Sequence, residues 1–152
     1  YVQDPVVAIE DTVAMFQLDM IGRNEEHGPN ESEGFLRERA SDNGNMINLL
    51  GSVFSPDMRA VVEGANAGVG LELRFRYDYE AQNLIRRSDH WSFLSAKIPA
   101  LFVFGGLHPD YHTPNDTADK INYEKLERVV SLVYQAVLEI GNGRTVPRFT
   151  IP

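Results

Sequence analysis

The 152-residue chain contains no cysteine. That excludes disulfides, thiolate metal sites and a cysteine nucleophile, and it leaves the compartment open. Cationic residues are in the minority: 14 Lys and Arg stand against 22 Asp and Glu, a formal net charge of −8. Nucleic acid is not expected as a partner, because phosphate binding draws on clustered Lys and Arg. No run approaches the roughly 18 consecutive apolar residues of a membrane span. Internal repeats and low-complexity segments are absent too. The chain lacks an initiator Met and a signal peptide, and its opening, Tyr1-Val-Gln-Asp-Pro5, reads as the interior of a longer protein. What is present is a globular composition, 43% hydrophobic and 10% aromatic. The length suffices for one domain with a real core, taken here as residues 1–152.

Periodicity predicts strands alternating with helices. A short turn at 6–11 leads into a buried strand, Thr12 to Leu18, that ends at Asp19-Met-Ile-Gly22. Residues 23–45 read as a long polar surface loop with some order around Phe35 and Leu36, and His27 is expected in solvent. Met46 to Leu50 is a short strand. Ser55 caps a helix with Pro56 at its first position, running to about Ala67. Leu71 to Tyr77 alternates apolar and charged residues, the pattern of a half-exposed strand. Ser88 and Asp89 can cap a short helix from His90 to Ala96, and Pro99 to Phe104 is another buried strand. Asn122 caps the longest helix, whose Leu126, Val129, Val130, Val133, Tyr134, Val137 and Ile140 share one face expected to be core. The tail from Arg144 reads as a loosely docked strand or coil. This alternation indicates an α/β sheet with helices on its faces.

Chemistry concentrates in His108-Pro-Asp-Tyr-His112-Thr-Pro-Asn-Asp-Thr117, directly after the apolar strand. Ligand-type side chains on a stiff loop at the end of a core strand are how α/β enzymes build sites. Zinc accepts His nitrogen and carboxylate oxygen, and co-catalytic zinc ions sit about 3.5–4 Å apart, sharing carboxylates. Asp19 stands at one strand end; His108, Asp110, His112 and Asp116 follow another. If those strands are neighbours, the ends converge on one crevice. No HExxH motif is present, and on the residues alone a turn-capping aspartate beside ordinary loop histidines remains an open alternative.

Three segments in order carry a resemblance: Phe16-Gln-Leu-Asp19-Met-Ile-Gly22; Ser88-Asp89-His90-Trp-Ser-Phe93 with Ile98-Pro-Ala-Leu-Phe102; and Gly106-Leu-His-Pro-Asp-Tyr-His112-Thr-Pro-Asn-Asp116-Thr117-Ala-Asp-Lys-Ile121. Together with the helix start Ser55-Pro-Asp-Met-Arg59, they resemble the C-terminal half of the co-catalytic zinc aminopeptidase family. That family includes bacterial leucyl-type aminopeptidases, glutamate carboxypeptidase, glutaminyl cyclases and the transferrin-receptor ectodomain. The likeness spans about residues 1 to 142. It implies a zinc-exopeptidase fold, a mostly parallel mixed sheet flanked by helices, present here as a partial domain.

The resemblance also implies roles. Asp19 is similar to the carboxylate ligand of one zinc and His112 to the histidine ligand of the other. Asp116 and Thr117 would brace the loop that carries His112, with Asp116 a candidate acceptor for its other ring nitrogen. Tyr111 would stand near substrate, and Asp89 would support the site or face substrate. The family's other ligands are a His, a bridging Asp and a Glu. They and its general-base Glu belong to the N-terminal half, which this chain does not hold. Glu25-Glu26 is not the family's Glu pair, because it follows Asp19 where that pair precedes it.

The expectation is therefore a zinc-dependent exopeptidase acting on N-terminal peptide bonds, with two zinc ions in the intact domain and weak or no zinc binding by this chain alone. Its partners would be a peptide substrate and the missing N-terminal half, or a second copy joined through exposed strands. An extracellular or periplasmic location goes with many relatives. The alternatives are a non-catalytic fragment or interaction module, a glutaminyl cyclase-like transferase, or a receptor-like relative that lost its metals. Retention of Asp19 and His112 argues against the last.

Overall fold

The computed structural model describes residues 1–27, 38–79 and 83–152. The order expected around Phe35 and Leu36 lies outside them. Four strands form one sheet: β1 (Met15–Asp19), β2 (Met46–Leu50), β3 (Glu72–Arg74) and β4 (Ala100–Phe104). Their order is β1-β4-β2-β3. β1 runs parallel to β4 and β2 parallel to β3, while β4 and β2 are antiparallel. Three helices flank the sheet: α1 (Pro56–Asn66), α2 (His90–Ser95) and α3 (Tyr123–Gly141).

The two central strands are buried throughout, as near-continuous apolar runs should be when both faces of a sheet are covered. Side chains alternate between the faces. Ile47, Leu49, Leu101 and Val103 join Met58 and Val62 of α1 and Val129 and Leu132 of α3 on one side. Leu50, Ala100, Phe102 and Phe104 meet Leu84 and Ile85 of the 3-10 turn Leu84–Arg86 and Leu94 of α2 on the other. The helix starts are those the sequence signals. Ser55 Oγ accepts from the Met58 amide at 3.3 Å, and Asn122 Oδ1 accepts from the Lys125 amide at 3.0 Å. The tail is a docked coil: Phe149 stacks on Phe54, and Arg148 pairs with Asp57 at 3.0 Å.

Three expectations are corrected. The apolar face of α3 is wider than the sheet that covers it. Val129, Val133 and Ile140 are buried, but Val130, Tyr134 and Val137 are 48%, 63% and 46% exposed, and Leu132 and Ala136 take core places instead. Gln135 and Glu139 face α1, whereas Leu126 meets Gly22 and Ile121 on the opposite flank, the flank that also carries Val130 and Val137. β3 is only three residues long. The chain leaves it because Arg74 and Arg76 turn to carboxylates inside the fold, and Tyr77 takes a left-handed φ of 71°. Finally, the segment after β1 is not a solvated loop: Glu25 has no exposed surface and the His27 side chain only 2%.

Glu25 organises that end of the sheet. Its carboxylate accepts from Asn48 at 2.9 Å, Arg76 at 2.7 Å and the Tyr77 hydroxyl at 2.8 Å, and His27 Nε2 lies 2.8 Å away. Asn43 receives the Glu25 amide and donates to its carbonyl. Burial would raise the Glu25 pKa, but His27, Asn48, Arg76 and Tyr77 outweigh it and hold the carboxyl below its ordinary value. The loop leaving β4 crosses this segment at close range, which is why two glycines sit there. A Cβ on Gly105 would stand 1.9 Å from the Met20 carbonyl oxygen. One on Gly106, whose φ is +100°, would stand 2.4 Å from the Glu25 side chain.

Two glycines should therefore respond oppositely to alanine. Gly105→Ala is expected to cost about 2–4 kcal/mol, because backbone must move to admit the methyl. Gly64, on α1 with nothing within 4 Å of an added Cβ, should gain about 0.4–1 kcal/mol on the same change. Urea unfolding checks both, and equal midpoints for the two variants would refute the crossing argument.

A second prediction concerns acid. His90 is wholly buried and stacks on Phe102 at 4.6 Å. Burial pushes its pKa down to about 4 from 6.5, against a weaker opposing pull from the Ile85 carbonyl. Between those values the unfolded chain binds a proton that the folded one refuses. The stabilisation is therefore complete above pH 6.5 and lost as pH falls toward 4, a difference of about 3 kcal/mol. Thermal melts from pH 7 to 4 should show His90→Phe losing less stability than the unaltered chain; parallel profiles would contradict this.

Candidate functional site

Because β1 and β4 are parallel and in register, Asp19 lies opposite Phe104, and both strands deliver their exit loops to the same edge of the sheet. The ladder continues one step beyond: the Gly105 amide donates to the Asp19 carbonyl at 3.1 Å. Met20, at φ 52°, then turns the chain. The Asp19 side chain is partly buried, and the Ser88 hydroxyl donates to its Oδ2 at 3.4 Å. Ser88 thus faces Asp19. Asp89, expected as a helix cap, makes no capping hydrogen bond at the start of α2 and is exposed. It lines a shallow cavity with Tyr1, Met15 and Trp91.

The loop after β4 is a chain of tight turns. The Tyr111 amide bonds to the His108 carbonyl and the Thr113 amide to that of Asp110. Thr113 Oγ1 donates to the Asp110 carbonyl at 2.8 Å. This folding leaves His112 exposed at a left-handed φ of 56°, its ring stacked on Tyr111 with centroids 3.8 Å apart. Tyr111 is 42% exposed. Thr117 precedes the 3-10 turn Ala118–Lys120 without capping it, and its neighbourhood lowers the Asp119 pKa.

Asp116 does not reach the His112 ring by any hydrogen bond among the described residues. It pairs with Arg23, which also holds Asp110 at 2.8 Å, and it stands 3.9 Å from His108. His108 is buried, and burial first, then the Arg23 charge, lowers its pKa. Lys120 adds a second cation to Asp110 at 2.9 Å. Arg23 is the residue that reading the sequence missed. The available signal was its place directly after Asp19-Met-Ile-Gly22, opposite a loop rich in carboxylates.

Asp19 and His112 supply carboxylate and imidazole, the donor types zinc takes. Yet among the described residues no three His, Cys, Asp or Glu gather where a metal ion could be held. A catalytic zinc needs about three protein ligands. The described residues by themselves therefore do not complete a zinc centre.

Comparison with known proteins places the chain. Curated proteins give no match. Among solved structures, an aminopeptidase from Aneurinibacillus sp. strain AM-1 is 25% identical, with a TM-score of 0.60 over 97% of this chain and 29% of that one. BSAP, a zinc aminopeptidase from Bacillus subtilis, is 20% identical with a TM-score of 0.66 over 92% and 31%. The LapA aminopeptidase of Legionella pneumophila is 18% identical with a TM-score of 0.58 over 84% and 31%. The chain thus spans less than a third of each neighbour, with the same α/β fold as a partial domain. The model of peptidase family M28 matches residues 1–137, and the chain belongs to that family.

Proposed function

We propose that this chain is the C-terminal part of the catalytic domain of a zinc-dependent aminopeptidase that hydrolyses N-terminal peptide bonds. The supporting observation is the shared sheet edge, where parallel, in-register β1 and β4 carry Asp19 and the His112 loop out together. In this reading Asp19 and His112 each contribute one ligand to one of two zinc ions, and Tyr111 stands beside the peptide. The bridging carboxylate, the remaining ligands and the general base come from polypeptide outside these residues. The chain alone is then inactive and binds zinc weakly or not at all.

The same reading accounts for two unsatisfied surfaces. Among the described residues β1 pairs only with β4, so its other edge is open. Leu18 on β1 and Val130, Tyr134 and Val137 on α3 are exposed apolar side chains. An open strand edge beside an apolar flank is a template for further sheet and helix. We assign both surfaces to the rest of the catalytic domain, and to a second copy of the chain when that rest is missing.

Zinc titration calorimetry tests the first part. The chain is expected to bind zinc only weakly, and to release no residue from leucine p-nitroanilide. Tight binding of two ions, abolished by both Asp19→Ala and His112→Asn, would sink the half-site reading, as would peptidase activity of the pure chain. Light scattering tests the second. The mean mass should rise above 17.1 kDa with concentration; a constant monomer mass across the range counts against it.

A further inference from the structure

The two segments proposed to carry zinc ligands are joined past the sheet by side chains, not by ladder bonds alone. Arg23 follows Asp19 by four residues. Its Nη2 donates to Asp110 Oδ2 at 2.8 Å and its Nη1 to Asp116 Oδ1. These carboxylates bracket His112, one two residues before it and the other four after. The Arg23 side chain is 14% exposed and that of Asp110 19%, so this arm is partly shielded from bulk water, whereas Asp116 at 41% is open to it.

The arginine is fixed from behind as well. Its amide donates to the Met20 carbonyl at 3.1 Å, and its carbonyl accepts from the buried Lys125 Nζ at 2.8 Å. Lys125 belongs to α3, whose first residues are tied to the same segment by the Asn122 amide, which donates to the Gly22 carbonyl at 2.8 Å. The Arg23 backbone is therefore held independently of the loop, and its guanidinium meets the loop from a fixed root.

Resting on the aminopeptidase reading for its purpose, we infer that Arg23 is a positioning residue that sets the spacing between Asp19 and His112. It does so by holding both ends of residues 110–116 with one planar guanidinium. The two Nη groups diverge in fixed geometry, so each carboxylate has its own donor. A lysine at this position offers one compact ammonium on a flexible stem in place of two donor groups held apart in fixed geometry. Among the described residues Lys120 pairs with Asp110 and not with Asp116, for which Arg23 is the closest charged partner and His108 stands farther off at 3.9 Å.

The first test needs neither metal nor activity. Tyr111 is an exposed chymotrypsin site inside the clamped loop, and cleavage after it reads the loop's opening. Native-state cleavage after Tyr111 is measured by mass spectrometry for the unaltered chain, Arg23→Met, Arg23→Lys, Asp110→Asn/Asp116→Asn, and the combined triple variant. The rate is expected to rise about tenfold in Arg23→Met and in the double Asn variant. The triple variant should be no faster than Arg23→Met, because all three residues form one unit. Arg23→Lys should recover less than half of the lost protection. Unchanged cleavage, additive effects or full protection by lysine would overturn the clamp.

The second test uses the longer, zinc-loaded peptidase. Arg23→Met should lower kcat about tenfold or more with KM within threefold, as expected for lost positioning without lost substrate contact. A change in KM alone would overturn the positioning role. If that protein shows no peptidase activity with Arg23 intact, the aminopeptidase reading fails while the cleavage result still decides the clamp.

Discussion

A carboxylate with no exposed surface stays ionised in a protein only where donors surround it, and the end of this sheet is built around one. Glu25 draws Asn48 from β2, Arg76 and Tyr77 from beyond β3, and His27 from its own segment onto two oxygens. The loop leaving β4 passes across its side chain at Gly106. All four strands thus report to one buried charge. Removing any donor would leave part of that charge uncompensated, a much larger cost than a surface ion pair carries. The candidate site stands on this platform, one turn away.

From the platform outward the control becomes progressively more local. Backbone register places Asp19 opposite Phe104. The crossing at Gly105 and Met20 fixes where the two exit segments part. Arg23 then spans the gap with side-chain bonds, and the turns from His108 to Asp116 set the attitude of the His112 ring. The root of this series is buried, at Glu25 and Gly105, and its tip, from Tyr111 to Asp116, is in solvent. A site shaped like this is rigid at its root and adjustable at its tip.

Much of this was legible in the residues. Ser55-Pro56 and Asn122 declared their helix starts because capping chemistry is local. Met46–Leu50 declared a short strand and Pro99–Phe104 a buried one, because short, largely apolar runs between turn signals fit little else. The Asp19 and His112 segments were found through motif likeness, and their common sheet edge follows from strand order, which periodicity does not encode. What failed was long-range. Glu25 looked solvated because its partners, His27 apart, are 18 to 52 residues away in sequence. Leu71 to Tyr77 looked like one strand because alternation cannot distinguish water from a buried carboxylate as the partner of Arg76, and the strand stops at Arg74. Val130, Tyr134 and Val137 looked like core because a helix states how wide its apolar face is, not how much of it a neighbour covers.

One detail restricts what evolution or engineering can do at the tip of the loop. His112 sits at a positive φ, a region open chiefly to glycine, asparagine, aspartate and histidine. The backbone therefore filters its own occupants. Of those four, three carry a metal-donor atom or an oxygen that mimics one, whereas β-branched residues are disfavoured before any chemistry is considered. Drift at this position is biased toward ligand-capable side chains, so a lineage that lost its metal would tend to keep a residue that still resembles a ligand.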